Sequence, residues 1–152
     1  MQYVQDKLAA LHEMERVLVS GGRLAFTVWN GAHPHIAAFA EVLRNHVSEE
    51  AAASALAASA WGDPKVIRNV VDEVGFRTVE MDVIQSMGRL SSSADALRSW
   101  VAYQGSRSSF ASEIENSFAD IVQDVSDALQ VYREGSEFIM PSQAHLVRAE
   151  AK

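Results

Sequence analysis

Residues 9–30 read AALHEMERVLVSGGRLAFTVWN, a helix, a glycine turn and a strand in immediate succession. Leu8, Leu11, Val17 and Leu18 recur at spacings that share one helical face, and Asp6 stands where an N-cap is needed. Ser20-Gly21-Gly22 is expected to stop the helix, because glycine accepts the left-handed backbone of a C-terminal cap. Leu24 to Trp29 then runs almost unbroken in apolar and β-favouring residues. Such a strand is expected inside a sheet covered by helices on both faces.

Downstream, Pro34 suits the first turn of a helix, and Ile36, Phe39, Leu43 and Val47 mark its apolar stripe. An alanine-rich helix is expected over residues 49–60. Asp63-Pro64 is a strong helix start, with Val66, Ile67, Val70, Val71 and Val74 as the buried face and Gly75 as the stop. Phe76 to Met87 alternates, which predicts a half-exposed strand near a sheet edge. Ser92 and Asp95 have the spacing of a loose capping box. Phe110, Ile114, Phe118, Ile121, Val125, Leu129 and Tyr132 predict one long amphipathic helix. The last strand is expected in two pieces, Phe138 to Met140 and Ala144 to Ala149, broken at Pro141.

The 152 residues carry a net charge of −7 and no cysteine. The acidic balance argues against a nucleic-acid partner, which needs a basic patch, and against an anionic membrane surface. The lack of cysteine removes disulfides and thiolate metal sites. No apolar run reaches transmembrane length. A single domain in the cytoplasm is the expectation.

Several blocks together resemble the class I S-adenosylmethionine-dependent methyltransferases, in the small-molecule branch related to ubiquinone and menaquinone biosynthesis. Glu13, Met14, Arg16, Val17, Leu18, Gly21, Gly22, Arg23, Leu24 and Ala25 match that family's E-M-x-R-V-L-x-x-G-G-R-L-A block. Gly62-Asp63-Pro64, Val74 to Val79 and Met140 to Ala149 follow in the family's order. The resemblance implies an α/β fold, specifically a partial Rossmann-like methyltransferase fold. Strands five to seven would form a mixed sheet under covering helices, with the last strand returning antiparallel between the other two. It implies S-adenosylmethionine as the family's cofactor, a small-molecule acceptor, and Gln2 and Tyr3 in the place of a Q-F pair near the cofactor. The glycine-rich loop of that family would lie before Met1, and no G-x-G-x-x-G occurs among these residues. Gly21-Gly22 is no substitute, because it follows a helix and precedes a strand. The chain thus corresponds to the C-terminal half of the fold and is not expected to bind the cofactor alone. The alternative is a non-catalytic, self-associating domain that binds a hydrophobic ligand or a protein. Without its neighbours the first strand would present a bare edge, so a homodimer or higher oligomer is expected.

Ligands of open α/β sheets bind beyond the carboxyl ends of the strands. That singles out Trp29 as an apolar wall, Asn30 as donor and acceptor, and His33 as a base, with Trp61 either closing the pocket or pinning a helix. The competing reading makes Trp29 core and Asn30-Gly31 a turn. His33 and His35 flank Pro34 without the further ligands that a metal needs. His12 and His145 are read as structural, and His46 as a helix-end residue. Glu80 and Asp82 share a strand face, as paired acid–base carboxylates must and as a solvated edge also would. Ser92, Ser93, Ser108 and Ser109 lack a nucleophile-elbow setting and read as caps and turns. No catalytic residue is assigned, since methyl transfer rests mainly on alignment of donor and acceptor.

Overall fold

The computed structural model describes residues 1–92 and 94–152, with Thr78 by its backbone only. The elements in chain order are α1 (Lys7–Arg16), β1 (Arg23–Trp29), α2 (Pro34–His46), α3 (Glu49–Leu56), α4 (Pro64–Val74), β2 (Arg77–Ser91), α5 (Ala94–Ser106), α6 (Ala111–Asn116), α7 (Phe118–Ala128), β3 (Arg133–Glu134) and β4 (Glu137–Glu150). Short 3-10 turns follow α3 and α7. The sheet order is β1-β4-β2, with β3 paired to β4. The mixed α/β class and the insertion of the last strand between the other two are as the sequence led us to expect. β1 and β4 are antiparallel and in register from Arg23↔Glu150 to Trp29↔Ala144.

The residues gather into two compact units. The first comprises Met1–Gly31, Ala58–Gln85 and Gln143–Lys152. In it, α1 and α4 pack together. Their Leu11, Ile67 and Val71 meet Val28, Phe76 and Val147 in one buried cluster. Asp6 caps α1 through the Ala9 N–H at 2.8 Å, but the helix ends at Arg16 rather than at the glycines. Val17 and Val19 lie exposed in the turn, as suits β-branched residues that resist helix. Gly21 takes the expected left-handed backbone, φ 75°, with the Gly22 N–H donating to the Val19 carbonyl at 2.8 Å. α4 starts and stops as expected. Asp63 accepts from the Lys65 N–H at 2.8 Å, and Gly75 closes the helix at φ 102°. Of the expected face, only Val66 turns outward.

β1 departs from expectation in one respect. Only its Leu24-Phe26-Val28 face is covered, while Arg23, Ala25, Thr27 and Trp29 lie exposed on the other. The alternation of Arg23 and Thr27 with the apolar residues is the mark of a sheet wetted on one side, and the apolar Ala25 and Trp29 mask it in sequence. β2 is an edge strand, as expected, and runs four residues further, to Ser91. Its residues from Asp82 to Met87 are exposed throughout. Glu80 and Asp82 both pair with Arg148, the former at 3.2 Å.

The second unit comprises Ala32–Ala57 and Ser86–Ser142. α2 packs on α3 and α7, and α5 on α6 and α7. They enclose Phe39, Leu43, Leu97, Val101, Ile121 and Phe138. A His46–Asp124 contact of 2.7 Å ties α2 to α7. The alanine-rich segment is helical only to Leu56 before tightening into its 3-10 turn. The single long helix expected over Phe110 to Tyr132 is instead α6 and α7, parted at Ser117 with φ −112° and ψ 18°. Asn116 and Ser117 favour such breaks because their side chains compete for backbone hydrogen bonds. The apolar stripe survives, with Ile114, Ile121, Val125 and Leu129 all buried. α5 is described from Ala94, and the Ser92 N–H donates to the Ser136 carbonyl at 2.9 Å. Ser93 lies outside the described residues. β4 runs through Pro141 without a break. The last β1 pair is Trp29↔Ala144, so Pro141 falls beyond the β1–β4 ladder, where a missing N–H costs β1 no bond.

The Asp63 cap gives a direct test of this local account. Asp63→Ala is expected to lower stability by about 1 kcal/mol, read as a lower urea midpoint at unchanged slope.

Candidate functional site

The carboxyl end of β1, in the first unit, gathers several of the residues singled out in sequence. The register leaves Gly22 and Asn30 bonded toward β4: the Ala151 N–H donates to the Gly22 carbonyl at 2.8 Å and the Asn30 N–H to the Gln143 carbonyl at 3.0 Å. In an antiparallel ladder these directions alternate, so Trp29 turns its backbone the other way. Its N–H donates to Oε1 of Gln2 at 3.0 Å. The Gln2 Nε2 amide is buried and makes no hydrogen bond. Met1, Gln2 and Tyr3 border a depression of about 180 Å³ with Thr27, Val28 and Trp29. Tyr3 is 76% exposed and Trp29 36%.

Asn30 is held by a second bond, from its Nδ2 to Oε1 of Gln143 at 3.1 Å. Trp61 is buried, stacked on Phe26 at 6.1 Å between centroids and 9° between planes. The Lys7 ammonium sits 5.3 Å from its ring centre. That placement gives Trp61 the pinning contact. Next to it, Gly62 has its carbonyl 3.0 Å from Nε2 of His145. A carbonyl only accepts, so this nitrogen carries the proton. The other ring nitrogen, Nδ1, is buried and makes no hydrogen bond. Gln2, Tyr3, Trp29, Asn30 and Trp61 therefore belong to one unit, while His33 belongs to the other.

His33 occupies the N-cap position of α2 without a side-chain cap bond. Its ring stands 5.5 Å from that of His35, which in turn meets Trp100 edge-on at 5.5 Å. Phe39 meets Trp100 at 5.3 Å. Burial lowers the His33 pKa. It pushes His35 down to about 4, helped by the nearby charge of His33. Both imidazoles are thus neutral at pH 7. Among the described residues no group of three or more His, Asp or Glu is placed to hold a metal. No described helix is long and apolar enough to cross a membrane.

Sequence reasoning missed Gln143, which fixes Asn30 from 113 positions away. It also missed Gly62 as a point of close approach. A Cβ there would lie 2.7 Å from the Gly31 nitrogen and 2.8 Å from the Trp29 carbonyl oxygen. The Gly-Asp-Pro triplet marks the position, but only as a helix start.

No family model matches the chain, and no characterised protein matches it in sequence. Among solved structures it is similar to Haemonchus contortus phospholethanolamine N-methyltransferase 2, solved with phosphomonomethylethanolamine and S-adenosylhomocysteine. The TM-score is 0.42 and the identity 13%, over 99% of this chain and 31% of that one. The chain therefore spans about a third of that protein. At this identity and score the likeness says nothing of what this chain binds.

Two outcomes follow from the site. Gly62→Ala must push backbone against backbone, and is expected to cost about 1–3 kcal/mol in urea unfolding, with the Trp29 and Gly31 amide resonances displaced. His35 binds its proton less readily folded than unfolded, so the unfolded chain takes up more protons between pH 6.5 and 4. Stability is expected to fall as pH drops through that window, and His35→Phe to flatten the fall, as followed by melting temperature against pH.

Proposed function

We propose that this chain is the acceptor-side portion of a class I S-adenosylmethionine-dependent methyltransferase fold that works on a small, fairly apolar molecule. The observation that carries the reading is the sheet order β1-β4-β2, with the last strand antiparallel to β1 and following a helix–Gly-Gly–strand block. The sequence resemblance implies that arrangement, and the blocks that carry it run in the family's order. Strand order is a property of the fold, so the choice of chemistry rests on the sequence motifs.

On this reading Trp29 and Asn30 face the acceptor beyond the carboxyl end of β1. The Trp29 ring supplies an apolar wall. Asn30, fixed by two bonds to Gln143, offers a polar contact whose orientation is set before the ligand arrives. A fixed polar group of this kind orients an acceptor at small entropic cost. Trp61 pins the sheet rather than lining this site, since its ring is buried against Phe26, and His33, which lies in the other compact unit, is not assigned to it.

The depression beside Gln2 and Tyr3 does not by itself fit S-adenosylmethionine. It measures about 180 Å³ and its lining contains no acid to hold a ribose. Sites for molecules of that size are usually about 300 Å³ or more. Gln2 offers one buried amide donor there, and its oxygen is already engaged by Trp29. No step through the cofactor is derived from this chain.

Titration of the chain with S-adenosylhomocysteine in a calorimeter is expected to give no saturable heat, meaning affinity weaker than about 1 mM. Tight binding would overturn the assignment of the cofactor determinants to residues other than these. The acceptor side is read separately, by amide shift mapping with small apolar phenols and amines. Shifts centred on Trp29 and Asn30 support the reading, and shifts that avoid them sink it.

A further inference from the structure

The outer edge of β1 carries a specific pattern of open backbone groups. Because Gly22 and Asn30 bond toward β4 and the register is unbroken between them, the N–H and C=O groups of Arg23, Ala25 and Thr27 point away from the sheet. Among the described residues β1 has no other strand neighbour in the sheet. All three residues are exposed. The row ends at Trp29, whose N–H is engaged by Gln2.

We propose that this edge pairs with the same edge of a second copy of the chain, antiparallel, with Ala25 on the two-fold axis. Only this register matches all three open residues and leaves the Gln2 bond intact. Ala25 faces Ala25, and each Arg23 faces the Thr27 of the other copy. Each facing pair exchanges two backbone bonds. The smallest side chain of the strand then stands on the two-fold axis.

Charge favours the same solution. β1 contains no acid and one base, Arg23. The antiparallel register sets the two Arg23 residues four positions apart along the strand, roughly 14 Å, which exceeds the screening length of about 8 Å at physiological salt. Parallel pairing in register would stack like charges. On the covered face, Leu24 of each copy comes opposite Phe26 of the other in the closer, non-bonded type of pair. Both are only partly buried in the single chain, so pairing removes apolar surface from water. At the end crowded by Gln2 and Tyr3, the residues brought opposite Val28 and Trp29 are Gly22 and Gly21, which present no side chain.

The proposal rests on the open edge of β1 and not on the methyltransferase reading, in which a preceding strand would compete for the same edge. The chain has no cysteine, so single cysteines report the register cleanly. In sedimentation the mass is expected to rise with concentration from 16.6 kDa toward twice that value. Ala25→Pro removes the axial N–H at a position where an edge strand tolerates proline, and is expected to hold the chain at monomer mass with an unchanged circular dichroism spectrum. Under mild oxidation Ala25→Cys is expected to cross-link to itself at least tenfold faster than Arg23→Cys or Thr27→Cys alone, since facing Cα atoms about 5.5 Å apart suit a disulfide. An equimolar mixture of Arg23→Cys and Thr27→Cys is expected to cross-link as fast as Ala25→Cys. Four results would overturn the proposal: a wild-type chain monomeric at every concentration, equal cross-linking at all three positions, a dimer that survives Ala25→Pro, or faster cross-linking through Val83→Cys on β2.

Discussion

The antiparallel register of β1 on β4 is the constraint from which most of this structure follows. Pairing Arg23 with Glu150 and Trp29 with Ala144 decides which backbone groups are satisfied inside the sheet and which look outward. It places Val28 beside His145 and hence His145 within reach of the Gly62 carbonyl. It sets Asn30 against Gln143 twice over. A slip of one residue would send Leu24, Phe26 and Val28 to the wetted face and Arg23 and Thr27 into the core. The burial of Val28 and Val147 in one cluster therefore pins the register as firmly as the ladder does.

Much of the fold could be read from local chemistry. Asp63-Pro64 and Gly75 bracket α4 because cap and stop signals act within a few residues, and the structure places the cap bond and the left-handed glycine where they point. The spacing from Phe110 to Tyr132 named the right buried residues while missing the break at Ser117, since burial is set by periodicity and continuity by backbone competition. The end of α1 at Arg16 was hidden because Val17 and Leu18 extend the apolar pattern past the point where the helix stops. Pro141 was overvalued as a breaker: a proline disrupts a strand only where a neighbour needs its N–H.

The site was less legible, for a related reason. Position at the end of β1 named Trp29 and Asn30, and the fold rule supplies nothing finer. What fixes them, Gln2 for one and Gln143 for the other, comes from segments far away in sequence. A glutamine in a terminal loop or a strand has no periodic signature. The lowered basicity of His35 is equally invisible, because it arises from burial beside Trp100 and from a second imidazole. His33 was chosen by adjacency to Asn30 in sequence, whereas the structure puts the two residues in different compact units.

The pairing of Val28 with His145 also has a consequence for biosynthesis. β4 follows β1 at a distance in the chain, and the ribosome must add more than a hundred residues between them. At about 5–20 residues per second the nascent β1 spends roughly 6 to 25 s without its ladder partner. Throughout that interval Leu24, Phe26 and Val28 lean on α1 and, once they emerge, on Trp61 and α4. The α1–α4 pair thus acts as a holding surface, keeping an apolar ribbon from neighbouring nascent chains until β4 arrives.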